Sequence, residues 1–157
     1  MGVDVSTQVE IARPPEEVAG YAVEPDNAPE WYVNIKAAEW LTERPLRVGS
    51  RFAFAAAFLG RRLEYVYEVR EHVPGERFVM STAEGPFPME TTYTWEPAPG
   101  GRTLMTLRNR GEPRRLGDFT SRMIGRAIAR ANRRDLDRLR SLLERHPQRQ
   151  PVESIDP

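Results

Sequence analysis

The sequence predicts an α+β fold in which a curved, seven-stranded antiparallel sheet wraps around one long C-terminal helix. Residues 3–11 alternate between apolar and polar side chains, which is typical of a strand with one buried face. Residues 35–110 contain six further strand-like runs joined by connections of hairpin length, which predicts an antiparallel meander. Residues 119–145 contain no proline and place apolar side chains at helical spacing opposite arginines, which predicts the long helix.

Two short helices are predicted between the first strand and the meander. Pro15 followed by two glutamates is typical of a helix start, because proline is tolerated in the first turn and acidic residues suit the helix dipole. Pro25 ends this helix early, and a second one runs through Trp31 and Tyr32. The six strands that follow are predicted at residues 35–43, 51–58, 63–69, 77–83, 89–95 and 103–110.

The chain length of 157 residues allows one domain with a substantial core and is too short for two ordinary ones. We therefore predict a single domain over residues 1–146 and, because residues 147–157 are polar, a disordered tail. The chain contains no cysteine, so disulfides and thiolate chemistry are excluded. Its two histidines, His72 and His146, are far apart, so neither a metal site nor a cofactor is expected.

The N-terminal residues alternate in polarity and lack the unbroken apolar core of a signal peptide. No stretch of the sequence is apolar for long enough to span a bilayer. We therefore expect a cytoplasmic protein without a membrane span, present as a monomer or a homodimer.

Charge is distributed unevenly along the chain although the formal net charge is zero. Residues 1–107 carry 10 basic and 16 acidic side chains, whereas residues 108–149 carry 13 arginines and 5 acidic side chains. One interpretation is a surface for phosphate or nucleic acid, because arginine forms bidentate pairs with phosphate. We favour a solvated helix face that pairs with acidic side chains on the outer strand faces, since no glycine-rich phosphate loop is present.

The predicted sheet is too wide for one helix to cover. Seven strands at about 4.8 Å spacing span roughly 30 Å, whereas one helix covers only about 10–12 Å. The rest of the inner face is buried either by large side chains or by a ligand held beneath a curved sheet. Residues 53–57 include four alanines, whose side chains fill little volume, so we favour the ligand. The alternative is a packed core with tyrosine hydroxyls at its rim.

Several short motifs carry a resemblance to a known family. They are VEIARPPEEV at 9–18, residues 26–31, VGSRF at 48–52, EHVP at 71–74, GPFP at 85–88, GGRT at 100–103 and DLDRL at 135–139. With the order of the elements, they resemble the START-like superfamily SRPBCC, which has the helix-grip fold, and within it the bacterial polyketide cyclase/dehydrase and lipid-transport group. The resemblance covers about residues 3–145. It implies an internal cavity, but the superfamily contains enzymes, carriers and regulators alike.

Three functions are compatible with these observations. The first is binding or transport of a small hydrophobic ligand, such as a lipid, an isoprenoid or an aromatic polyketide-like molecule. The second is an aromatase/cyclase-type enzyme acting on a polyketide-like substrate, with Tyr65, Tyr67 and Tyr93 as candidate proton-transfer groups. His72 lies at a predicted strand end and is interpreted as solvated rather than as a base. The third is a partner-binding module that uses the arginines of the last helix.

The candidate ligand-binding residues lie on the expected inner faces of the strands and of the long helix. The entrance is expected between Trp31–Tyr32 and the nearby strand turns, and the methionines are expected to adapt to the shape of the ligand. Each assignment depends on strand register, because a slip of one residue exchanges the two faces. The candidates are Trp31, Tyr32, Phe54, Tyr65, Tyr67, Met89, Thr91, Tyr93, Trp95, Met105, Asn109, Met123, Ile124 and Ala127.

Overall fold

A computed structural model describes residues 2–58, 60–84, 88–111 and 118–145. The tail predicted at residues 147–157 and His146 lie outside the described residues. The elements in chain order are β1 (Val3–Ile11), α1 (Pro15–Val23), a 3₁₀ turn (Pro25–Asn27), α2 (Ala28–Trp31), β2 (Ile35–Trp40), β3 (Arg51–Phe58), β4 (Arg61–Val73), β5 (Arg77–Glu84), β6 (Met89–Ala98), β7 (Arg102–Gly111) and α3 (Asp118–Arg145).

All seven strands belong to one antiparallel sheet with the order β1-β7-β6-β5-β4-β3-β2. The first strand therefore pairs with the last one, and β2 forms the opposite edge. The predicted fold class, with a seven-stranded sheet, two short helices after β1 and one long C-terminal helix, is confirmed. Among the described residues, no helix is both long and apolar enough to cross a membrane.

Some strand ends differ from the prediction. β2 ends at Trp40 rather than at residue 43, because the hydroxyl of Thr42 accepts the Arg51 N–H at 3.1 Å. Arg51 belongs to β3, and its N–H would otherwise have continued the backbone ladder with β2. β4 is longer than predicted, and it turns into β5 at Pro74 and Gly75, where the φ of +76° favours glycine.

The sheet is curved by irregularities in its central pair of strands. The register between β4 and β5 shifts twice, between Val66 and Tyr67 and again between Val69 and Glu71. Such β-bulges bend the strand that carries the extra residue and increase its local twist. The bend lets one sheet reach around α3, which packs along β1 and against α2.

The densest core fills the half of the molecule where β1 ends and β7 begins. There α1 packs against β6 and β7, and α2 packs against β2 and α3. The side chains that are almost completely buried in this core are Ile11, Val18, Trp31, Phe52, Val69, Phe78, Tyr93, Met105, Leu107, Leu136 and Leu139. The opposite half, where β3 ends and β6 begins, is covered by α3 alone among the described helices, and it contains the cavity described next.

Candidate functional site

A cavity of about 140 Å³ lies between α3 and the inner face of the sheet. An engineered apolar cavity of about 150 Å³ is known to bind benzene, so this space matches one aromatic ring. Most of its wall is apolar, and the polar groups are confined to a few positions. The lining residues are Tyr32, Asn34, Ile35, Phe54, Ala56, Leu63, Tyr65, Tyr67, Met80, Met89, Thr91, Asn109, Ile128, Ala131, Asn132 and Asp135.

Half of the candidate residues from the sequence lie on the cavity wall. The structure brings together Tyr32, Phe54, Tyr65, Tyr67, Met89, Thr91 and Asn109. Neighbours at i and i+2 share one face of a strand, which explains why the two tyrosines of β4 occur together and why Met89 and Thr91 occur together on β6. Their predicted position on the inner face is therefore what the structure shows.

Four aromatic and methionine candidates lie in the core instead of on the cavity wall. They are Trp31, Tyr93, Trp95 and Met105, and each is at most 3% exposed. The last three do face inward, but towards the half of the sheet that α1 and α2 cover. Trp31 itself belongs to α2 and packs its ring 4.0 Å from that of Tyr32 and 5.8 Å from that of Tyr93.

The three candidates on α3 also lie away from the wall. Met123 is 57% exposed, and Ile124 and Ala127 are partly buried. The cavity instead contacts α3 further along, from Ile128 to Asp135. The prediction therefore placed the contact one to two helical turns too early along α3.

Several lining residues were not among the candidates. They are Asn34, Ile35, Ala56, Leu63, Met80, Ile128, Ala131, Asn132 and Asp135. A usable signal was present for the two polar residues of α3. Positions 128, 132, 135 and 139 are spaced by four, three and four residues, so all four lie on one face of a helix. Asn132 and Asp135 therefore interrupt an apolar stripe and face inward.

Among the described residues, Asp135 is the one carboxyl group on the cavity wall. It is 3% exposed, and its Oδ1 accepts the backbone N–H of Val33 at 2.8 Å. Burial raises the pKa of this carboxyl to about 7, while the hydrogen bond from Val33 and the charge of Arg138 oppose the rise. Such a group exchanges its proton near neutral pH, which is a property of acid–base sites.

The tyrosines around the cavity are held in their neutral form. Burial raises the pKa values of Tyr32, Tyr67 and Tyr93 well above the ordinary value, and that of Tyr65 to a smaller extent. The hydroxyls of Tyr32 and Tyr93 are hydrogen-bonded to each other. At neutral pH these phenols therefore act as hydrogen-bonding groups and are poorly suited to releasing a proton.

Among the described residues, the other polar side chains form neither a second acid–base site nor a metal site. On the sheet wall, Thr91 donates its hydroxyl hydrogen to Oδ1 of Asn109 at 2.7 Å. His72 packs against the ring of Phe78 away from the cavity, and partial burial lowers its pKa. Within the described ranges, no group of three or more His, Asp or Glu side chains is placed to hold a metal ion.

The arginines of α3 form an exposed face that differs from the sequence-based interpretation. The exposed ones are Arg122, Arg126, Arg130, Arg133, Arg134, Arg138, Arg140 and Arg145. Acidic side chains on the strands pair instead with arginines that are also on strands, as in the bidentate contact of Asp4 with Arg108. In the described part of the chain, no arginine of α3 forms a salt bridge, and Arg133 and Arg138 donate to the backbone carbonyls of Gln8 and Glu30.

A curved antiparallel sheet that grips one long helix over a largely apolar cavity defines a START-like helix-grip protein. The chain belongs to the family described as polyketide cyclase / dehydrase and lipid transport, whose model matches residues 2–144. The resemblance that the sequence motifs indicated is thereby confirmed. No curated protein matches the chain in sequence.

Solved structures with the same fold include several bacterial proteins. The aromatase/cyclase Zhui from Streptomyces sp. R1128 has a TM-score of 0.80 at 16% identity, covering 92% of this chain and 95% of that one. The protein TTHA0849 from Thermus thermophilus has a TM-score of 0.79 at 19% identity, covering 92% and 99%. A START superfamily protein from Mycobacterium smegmatis has a TM-score of 0.79 at 16% identity, covering 90% and 97%. At these identities the likeness establishes the fold alone.

Proposed function

We propose that this protein binds a small, largely apolar molecule in the cavity between α3 and the sheet. The observation that carries the proposal is the cavity itself, a space of about 140 Å³ that the surrounding side chains do not fill. An unfilled apolar space costs packing energy, and a ligand of matching shape restores the lost contacts. The family's association with lipid transport supports a binding or carrier role.

The volume of the cavity restricts the size of the ligand. A space that matches one aromatic ring is smaller than the usual pocket of about 300–1,000 Å³ for drug-sized molecules. A lipid, an isoprenoid or an extended polyketide would need the wall to move. Met80 and Met89 are the side chains best suited to move, because an unbranched thioether adapts its shape at low cost. We therefore expect single-ring molecules to bind without rearrangement.

Filling the cavity with a side chain is expected to abolish binding. In Ala56→Phe, the new ring occupies the space between β3 and α3, so the affinity for toluene should fall at least about tenfold. Isothermal titration calorimetry measures this loss, and thermal unfolding checks that the variant is folded. Ala55→Phe is the matched control, because residue 55 points to the other face of β3. Equal toluene affinity in the two variants would exclude the cavity as the binding site.

A cyclase-type enzyme is the second candidate, and Asp135 is the observation that favours it. A carboxyl with a pKa of about 7 in an apolar cavity can remove a proton next to a carbonyl group, as ring closure of a polyketide-like chain requires. Asp135 replaces Tyr65, Tyr67 and Tyr93 as the first candidate for proton transfer, since burial raises the pKa values of all three tyrosines.

Proton transfer by this carboxyl can be tested without knowing the natural substrate. If Asp135 acts as a base, the protein accelerates deuterium exchange at the α-carbons of cyclopentanone, and Asp135→Asn removes the acceleration. Proton NMR in deuterated buffer follows the exchange. An exchange rate equal to that in buffer alone would leave binding without catalysis as the function.

The cytoplasmic location and the monomeric or homodimeric state stay predictions. Cell fractionation checks the location, and analytical ultracentrifugation checks the oligomeric state.

A further inference from the structure

The cavity wall contains two buried polar side chains whose hydrogen-bonding capacity the protein does not use up. Asn132 and Asp135, here called the α3 pair, lie one helical turn apart and both line the cavity. They are 4% and 3% exposed. Among the described residues, Nδ2 of Asn132 has no hydrogen-bond partner. A buried amide donor without a partner is unfavourable, because it has lost its water on folding.

The carboxyl of Asp135 is also only partly satisfied. Its Oδ1 accepts the Val33 N–H, and no hydrogen bond within the described part of the chain reaches Oδ2. A carboxylate can accept several hydrogen bonds, so one acceptor position stays available. The α3 pair therefore offers one donor and one acceptor, one helical turn apart, to a molecule in the cavity.

We infer that the α3 pair recognises a hydroxyl group, so that the ligand is a small alcohol or phenol with an otherwise apolar body. The hydroxyl oxygen accepts a hydrogen bond from Nδ2 of Asn132, and its hydrogen is donated to Oδ2 of Asp135. A ketone could use only the donor, an ammonium group only the acceptor, and a hydrocarbon neither. This inference rests on the proposed function, because it names the chemical class of the ligand for the same cavity.

Two pairs of polar side chains around the cavity differ from the α3 pair, because each pair is already hydrogen-bonded within itself. The hydroxyl hydrogen of Thr91 is donated to Oδ1 of Asn109, so these two groups partly satisfy each other. The hydroxyl of Tyr32 is likewise hydrogen-bonded to that of Tyr93. A ligand that places its hydroxyl at the α3 pair therefore lays its apolar body against the strands.

A matched pair of single-ring probes tests the inference on the unmodified protein. p-Cresol and toluene differ by one hydroxyl group, and we expect p-cresol to bind about tenfold more tightly. Calorimetric titration of both probes at pH 8, where the carboxyl of Asp135 is mostly ionised, gives the ratio of dissociation constants. Equal affinities would overturn the hydroxyl site while leaving the cavity function intact. Binding of neither probe would overturn the proposed function and the inference with it.

Two variants show whether the α3 pair is the source of the preference. Asn132→Leu keeps the size but removes the donor, so the preference for p-cresol over toluene should fall to about threefold or less. Asp135→Asn turns the acceptor into a second donor, so benzaldehyde should gain affinity relative to p-cresol. Arg134→Leu and Asp137→Asn lie elsewhere on α3 and should keep the wild-type ratios. A tenfold preference that survives both changes in the α3 pair would place the hydroxyl elsewhere and overturn the inference.

Discussion

Replacing Asp135 with asparagine is expected to raise the free energy of unfolding by roughly 2–4 kcal/mol at pH 8, at about 1.4 kcal/mol per pKa unit. Burial raises the pKa of this carboxyl from its ordinary 3.8 to about 7, so the folded state binds the proton more tightly than the unfolded state. The free energy of unfolding therefore falls as the pH rises from about 4 to about 7, and the loss is complete above that window. Asparagine carries no charge and keeps an oxygen for the Val33 N–H.

Urea denaturation at pH 4 and at pH 8 measures this effect as a difference between variant and wild type. At pH 4 the carboxyl of the folded wild type is protonated and uncharged, so the two proteins should be almost equally stable. Asp137→Asn, on the same helix but less buried, is the control and should change stability by less than about 0.5 kcal/mol at either pH. A gain of the same size at both pH values, or a loss at pH 8, would show that Asp135 is not a buried charge in the folded protein.

Replacing Trp31 with alanine is expected to cost about 3–5 kcal/mol of the free energy of unfolding. Its indole is completely buried between α2 and the sheet, in contact with the rings of Tyr32 and Tyr93. Because Tyr32 is part of the cavity wall, the void left behind should also weaken toluene binding. Chemical denaturation gives the stability change, and calorimetry gives the affinity.

Trp40→Ala is the matched control for this prediction. Trp40 lies on the edge strand β2, is only partly buried and packs its ring 5.0 Å from that of Phe52. Both indoles contain a buried Nε1 without a hydrogen-bond partner in the described part of the chain. The substitutions differ in buried apolar area, and Trp40→Ala also removes the contact of the Arg44 guanidinium over the Trp40 ring, 4.9 Å from the ring centroid. We expect the control to cost about 2 kcal/mol and to leave toluene binding unchanged. Equal costs for the two variants would contradict the central position of Trp31 in the core.

The fold could be predicted because local patterns decide it. Alternation along β1, β4 and β6 fixes which side chains share a face, and the hairpin-length connections leave an antiparallel order as the simple solution. The end of β2 could not be predicted in this way. It depends on the Arg51 N–H donating to the Thr42 hydroxyl, a contact between β3 and the residues after β2 that no pattern within one segment reveals.

The cavity could be predicted only in part, because alternation gives the face of a strand but not the position along it. On β6 the side chains of Met89, Thr91, Tyr93 and Trp95 all face inward. The first two reach the cavity, and the last two are covered by packing from α1. Where the short helices stop covering the sheet is a tertiary property, so the sequence assigned all four residues to one site.

The polar residues of the cavity were missed for a different reason. A hydrophobicity pattern assigns polar side chains of a helix to solvent, yet Asn132 and Asp135 share the angular position of Ile128 and Leu139. Their burial is favourable only if hydrogen bonds are formed, one of which comes from Val33 in the connection between α2 and β2. Polar residues inside an apolar stripe therefore deserve the same weight as aromatic residues when a binding site is sought.

The most direct test of a ligand-accessible interior is toluene titration of the wild-type protein with ¹³C-labelled methionine methyl groups. Met80 and Met89 lie on the cavity wall, whereas Met123 is 57% exposed on α3 and serves as the internal reference. We predict saturable NMR shifts of the Met80 and Met89 methyl groups with no change at Met123. Methyl signals of Met80 and Met89 that stay unchanged up to the solubility limit of toluene would contradict a ligand-binding cavity.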